Sequence, residues 1–484
     1  MKSKKDLLGR NKSIGPPCPF IPLKSRNYEK NKAISEQPLL FRMGPMGKFT
    51  FLIIASLLFG FGWQVRGSGT SDPIVVTWLY MILIGYVLAP RENWNLVYIG
   101  IFVTAFRLMR RGWGTFVGQS GIPGIWPGRL ISWTEGYDVP VAWWQGYFWL
   151  FLVGAAWSAM PMVLLGTSLS RKKYTLFDAL VIIGIYIGCY FFIANFIAPM
   201  VIPTIAPEAY NEVYIALGQE RNYISMVDNL SFALAIIGPL TYIAISKKDW
   251  FNLQLTVAIM FSFGIGFSVA NISQAIGRNT IGHSFPFWSV WEYFSGFIAG
   301  GLMTVFLFFI SRTQYEDSDK PFTLLYRANK TKGLMEYLFA FLPVLYAIQE
   351  STIGMINSTL QQLTGTNPGI ETWQSVIVAL MIGTPLFILY SWRSARKKPI
   401  INYVFLGFTR AWTQARIYLV MTIIFVPFFY MCYAMQFLVT GGIPFTHGYT
   451  HSWLNTISVI IVEAWCVIRL IFDSRCKLPR RVVN

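Results

Sequence analysis

Four arginines, Arg66, Arg111, Arg129 and Arg278, stand inside or beside glycine-rich, aromatic-flanked stretches that separate apolar runs. A guanidinium is permanently charged and presents a planar fork of donors, and glycine lets the backbone turn sharply or come close to a ligand. The combination reads as an anion site, in which a broken or re-entrant segment would aim backbone amides and one guanidinium at negative charge. At any single position an ordinary turn, with its arginine snorkelling to a lipid phosphate, reads equally well.

The first stretch, "LFGFGWQVRGSGTSDP" at 59–74, carries Arg66 and Asp72, with Pro73 opening the next run; helix capping accounts for that acid. The second, "RLMRRGWGTFVGQSGIPGIWPGRLISWTEGYD" at 107–138, holds Arg111, Trp113, Trp126 and Arg129. A loop this apolar is expected to fold back into the protein or to lie along the interface. Its tryptophans fit either an interfacial aromatic belt or a stacking platform for a ring-bearing solute or a lipid-linked headgroup. The third, "ANISQAIGRNTIGHSFPFWS" at 270–289, contains Arg278 and His283 and is followed by Glu292 just inside the next apolar run. An ionisable residue within a span is a functional candidate by default, and Glu292 is placed to pair with Arg278 or another arginine of these stretches. Asp72, His283 and Glu292 are the candidates for ion coupling or acid–base work, His283 because imidazole titrates near neutral pH. The fourth stretch, "TGGIPFTHGYTHSW" at 440–453, sets His447 and His451 four apart, but Gly448 and the lack of an adjacent acid or cysteine make a poor metal site.

No nucleophile elbow, P-loop or HExxH pattern occurs, and the glycine-rich "GIGFSVA" at 264–270 follows no strand, so dinucleotide and ATP chemistry have no support. Neither a metal nor a cofactor is expected. The five cysteines are scattered and form no CxxC pattern.

The elements that must position these residues follow from composition. The chain has 484 residues, of which 54% are hydrophobic and 13% charged, and its mean hydropathy is +0.48. This is an all-α polytopic membrane protein. Apolar runs long enough to span fall near 49–65, 73–90, 94–110, 141–168, 175–203, 228–246, 251–271, 290–311, 334–350, 373–391, 413–438 and 454–471, giving about twelve helices. Pro161 and Pro199 lie inside two of the longer runs and predict kinks or tilt. Asp228, at the start of its run, reads as a helix cap.

The net charge of +18 is spread through short loops and both tails, with no tract that reads as a nucleic-acid module. Basic loops at 171–173, 247–249, 312–332 and 393–398 share one side, which the positive-inside bias makes cytoplasmic. Residues 1–42 then form a basic cytoplasmic tail, 43–472 the transmembrane domain and 473–484 a second basic cytoplasmic tail. The glycine-rich stretches all map to the outer face, where orientation does not explain their arginines. Two of them precede tryptophan-led spans, "WWQGYFWLFLVG" and "WEYFSGFIAG", a faint similarity of the kind an internal duplication leaves.

These features together favour a secondary transporter or permease for an anionic or polar, ring-bearing solute, embedded in cell-membrane lipid. Two other readings fit the same residues. One is a membrane-embedded transferase acting on a lipid-linked headgroup at the outer leaflet, with Asp72 or Glu135 as the acid. The other is a non-catalytic subunit whose small residues pack against a membrane protein partner.

Overall fold

The computed structural model describes residues 39–67, 73–88, 122–132, 136–170, 172, 174–277, 287–316, 377–386, 388, 414–439 and 450–475, with scattered positions between 345 and 365. The protein is mostly helical and multi-pass. Among the described residues seven helices are long and apolar enough to cross a membrane, and three shorter apolar helices accompany them. Their positions coincide with the apolar runs of the sequence. The runs at 94–110 and, apart from Leu345, 334–350 lie outside the described residues.

Helix α1 (Pro45–Gly67) and α2 (Pro73–Leu88) form the first antiparallel pair. A small antiparallel sheet follows, β1 (Ile125–Trp126), β2 (Arg129–Ser132) and β3 (Tyr137–Pro140), in the order β1-β2-β3. It is the one departure from helix among the described elements. Next come α3 (Trp143–Leu169), α4 (Leu176–Phe192), α5 (Ala198–Ile205), α6 (Glu220–Ala235), α7 (Ile237–Tyr242) and α8 (Trp250–Ala270). The short α9 (Ile272–Ile276) continues α8, and α10 (Phe287–Glu316), α11 (Gln414–Val439) and α12 (Thr450–Arg475) complete the set.

Two apolar cores divide the body. One gathers α1, α2, α10, α11, α12 and the inner face of α8. The other gathers the sheet, α3 and α4 to α6. Helices α3 and α8 join them, packed so closely that a Cβ on Gly154 would lie 2.4 Å from the Phe263 carbonyl oxygen. The same device joins α1 to α10, where a Cβ on Gly300 would sit 2.4 Å from that of Phe59 and one on Gly296 as near to Trp63. Small residues four apart let helices approach in lipid, where the hydrophobic effect does not drive helices together.

Two sequence expectations change here. The glycines at 60–67 do not break the chain: α1 stays helical through Gly67, with Gly60 set against Tyr293 and Phe297. Asp228 is not a cap, because α6 begins eight residues earlier at Glu220 and places Asp228 mid-helix, where its carboxylate accepts a 2.7 Å hydrogen bond from the Tyr190 hydroxyl. Pro199, where a kink or tilt was expected, follows a π-helical turn at Ile193–Ile197. The wider turn relaxes the ladder where proline lacks an N–H.

Candidate functional site

The described part of the segment before α3, residues 122–132 and 136–142, packs against the body. Gly124 and Gly128, at φ +74° and +87°, take the left-handed turns that the ribbon needs and that side-chain-bearing residues avoid. Gly146 lets α3 lie against the ribbon, since a Cβ there would fall 2.2 Å from the Pro127 nitrogen. Trp126 is thereby driven inward, 3% exposed, edge-on to Trp288 and Trp291 of α10 at ring separations of 5.7 and 5.8 Å. It belongs to an interior aromatic cluster and not to an exposed belt. Trp291 is held in place by donating its ring N–H to the Phe267 carbonyl at 3.1 Å.

Successive helical residues point about 100° apart, so Trp291, Glu292 and Tyr293 fan out to different neighbours. Trp291 faces α8. Tyr293 reaches α12, its hydroxyl sharing a 2.5 Å hydrogen bond with Ser458. Glu292 is buried and lies within electrostatic reach of Tyr433 on α11. The Tyr433 phenol also faces Gln64 of α1 and Asn455 of α12. Gln64, Glu292, Tyr293, Tyr433, Asn455 and Ser458 are all buried, and they come from the same end of four packed helices.

Within this cluster several hydroxyls pair with one another. Tyr430 and Thr456 share a 2.6 Å bond, and Ser458 donates to the Leu454 carbonyl at 2.6 Å. Asn455, between them, is fully enclosed at 0% exposure; among the described residues its amide meets no close hydrogen-bond geometry, and the Tyr433 phenol is the group that faces it.

A second polar cluster, in the other core, has the opposite character. Asp178 accepts from the Thr175 N–H and hydroxyl at 2.7 and 2.9 Å and from Tyr242 at 2.8 Å, and it pairs with Lys247 at 2.6 Å. Asp249 caps α8 through the Asn252 N–H and accepts from Tyr174 at 2.7 Å. Burial, reinforced by that bond, pushes the Tyr174 phenol well above its usual range and keeps it a neutral donor. Asn252 donates to the Val163 carbonyl and accepts from Thr256. Gln145 donates to Glu208, and Asn222 to Tyr137. The cluster fastens helix ends.

Of the residues singled out in the sequence, Trp126 and Glu292 border the first cluster. Arg129 does not: it is paired with Asp138 at 3.4 Å across β2 and β3, both side chains more than two-fifths exposed. Arg66 closes the last turn of α1, its side chain outside the described set. Asp72, Arg111, Trp113, Glu135, Arg278 and His283 lie outside the described residues. Sequence reasoning missed Gln64, Tyr293, Tyr433, Asn455 and Ser458. The signal for two of them was present in "SWLNTISVII", where Asn455 and Ser458 stand three apart within an apolar run and so share a helix face. It also missed Glu463, an acid inside the same span with one enclosed carboxylate oxygen lacking a partner.

No family model, curated protein or solved structure matches the chain.

Proposed function

We propose that this chain is a secondary transporter or permease of the cell membrane that moves a polar, ring-bearing solute, anionic or neutral. The observation that carries the reading is the enclosed polar cluster around Asn455 and Glu292, built where four long helices meet. Polar side chains inside a membrane bundle face the bundle interior and mark solute or ion pathways. The aromatic groups around the cluster, Trp126, Trp288 and Trp291 above it and the tyrosines within it, suit a ring.

On this reading the chain crosses the bilayer about twelve times with both ends in the cytoplasm, because that arrangement places every strongly basic loop inside. The cluster then lies toward the outer side. Arg66, Arg111 and Arg278 are the residues proposed to attract an anion, and Glu292 or His283 those proposed to couple uptake to protons. The exposed apolar faces, Phe177, Phe191, Phe196 and Met200 among them, meet lipid.

The test is uptake into proteoliposomes holding the purified chain, with a labelled panel of sugars, polyols and organic anions under imposed proton and sodium gradients. Saturable, gradient-dependent accumulation of one class is expected. Failure of every member, including in counterflow, rejects transport. Glu292→Gln should lower proton-driven uptake at least about tenfold and flatten its pH profile; an unchanged profile takes Glu292 out of the mechanism.

A further inference from the structure

We propose that Glu463 is a proton-binding site of the membrane domain and joins the groups that couple uptake to protons; the coupling rests on the transport reading above, the site itself does not. Glu463 is the eleventh residue of the twenty-residue span Trp453–Phe472, so about 14 Å of helix separates it from either end. Among the described residues it is the one acid with an enclosed carboxylate oxygen that has no hydrogen-bond partner. Asp178, Asp228, Asp249 and Glu208, by contrast, each accept from a tyrosine or an amide. Glu463 as a whole is half-buried, which leaves its carboxyl within reach of a proton.

Charge on an acid in the middle of a span has to be cancelled by a partner or removed by a proton. A metal cation asks for several oxygen ligands, and no other side chain from Val459 to Ile468 carries an oxygen. A proton needs only one. The surroundings supply no counter-charge either. Helices α11 and α12 run antiparallel, with Tyr430 meeting Thr456; Glu463, seven residues beyond Thr456, shares its helix face and falls level with Ile423 of α11. Helix α1 presents Phe51, in ring contact with Trp465, and keeps Lys48 in its first turn. The Cys466 thiol lies within electrostatic reach of Glu463. Toward the cytoplasmic end, Arg469 donates its Nε–H to the Tyr86 hydroxyl of α2 at 3.1 Å and lies over the rings of Tyr86 and Trp465. Tyr430, Cys432 and Tyr433 of α11, with Glu292 and Tyr293 of α10, stand toward the other end, near the level of Asn455 to Ser458.

The probe is N,N′-dicyclohexylcarbodiimide, which enters lipid and adds to a carboxylic acid but not to a carboxylate. The acid's proton passes to a carbodiimide nitrogen while its oxygen bonds to the central carbon; acyl shift to nitrogen then leaves a stable N-acylurea, and nothing is expelled. The full chain in phosphatidylcholine nanodiscs is treated at neutral pH with sodium chloride or choline chloride as the salt, and adducts are mapped by peptide mass spectrometry. An adduct on Glu463 is expected in both salts. Infrared spectra across pH should show a carboxylic-acid C=O band that gives way to carboxylate as pH rises, present in the wild type and missing from Glu463→Gln. In proteoliposomes Glu463→Gln should lower proton-driven uptake at least about tenfold while keeping counterflow, and Glu463→Asp should restore it. No adduct on Glu463, protection by sodium, or a band that does not titrate overturns the site. Unchanged proton-driven uptake in Glu463→Gln overturns the coupling role. Should Glu463→Gln fail to fold, the wild-type adduct and its sodium arm decide. A labelled, titrating Glu463 in a chain that moves no solute defeats the transport reading and leaves the proton site standing. Uptake by a chain whose Glu463 neither labels nor titrates does the reverse.

Discussion

Asn252 and Asn455 are both asparagines at 0% exposure inside spanning helices, one in each half of the molecule, and their amides have opposite fates. That of Asn252 is closed on both sides, donating to Val163 across a helix contact so tight that a Cβ on Gly166 would collide with it, and accepting from Thr256 one turn on. That of Asn455 is closed on neither. The half built on α3 to α7 follows the same rule as Asn252: Asp178, Asp228, Asp249, Glu208 and Asn222 all have partners within the chain. Its exceptions are single atoms, such as the Trp149 ring nitrogen and the Ser231 hydroxyl. Partnered polar groups in a low-dielectric interior fix helix register. Among the described residues Asn271, at the end of α8, shares the state of Asn455, so the contrast is between asparagines closed by a facing helix and those that are not.

The strongest way to break this contrast is through the seam that positions the half holding Asn455. Gly300→Leu should destabilise by about 3 kcal/mol or more, because four added carbons must enter space that Phe59 already fills. Loss of monodisperse protein, or a fall in Tm, measures it; a wild-type melt would mean that α1 and α10 are not held by close approach. Asn252→Leu comes next. Removing the amide leaves the Val163 carbonyl and the Thr256 hydroxyl short of a partner, and the cost should be about 1–3 kcal/mol. Set beside Asn455→Leu, which should cost nothing, it gives the comparison a sign as well as a size. Equal losses in the two variants would erase the distinction between the two asparagines. Arg129→Ala should be the mildest, under about 0.5 kcal/mol, because its pair with Asp138 is largely exposed to solvent. A large loss of uptake in that variant would restore Arg129 to the site.

The positions of the spans were legible because a helix crossing lipid must satisfy its backbone internally and present an apolar surface, and both demands are written as uninterrupted apolar runs. Glu292 was legible for a related reason, since an acid just inside an apolar run conflicts with its surroundings. The glycines misled in one place and informed in another. Gly60 and Gly62, followed by Arg66, suggested a broken segment, whereas Gly60 serves helix contact inside an intact α1. Gly124 and Gly128 do make turns, and those turns carry Trp126 into the interior.

The sequence by itself determined that this is a multi-pass helical membrane protein, where the described spans fall, and that polar residues such as Glu292 sit within them, because hydropathy is a local property summed along a run. Only the tertiary structure decided which of those residues meet. Gln64, Glu292, Tyr433 and Asn455 are spread over 391 positions of the chain, and nothing local to each encodes the others. Nor could composition tell a satisfied asparagine from an unsatisfied one. Whether an amide has a partner depends on the facing helix, as Asn252 against the Val163 carbonyl makes plain.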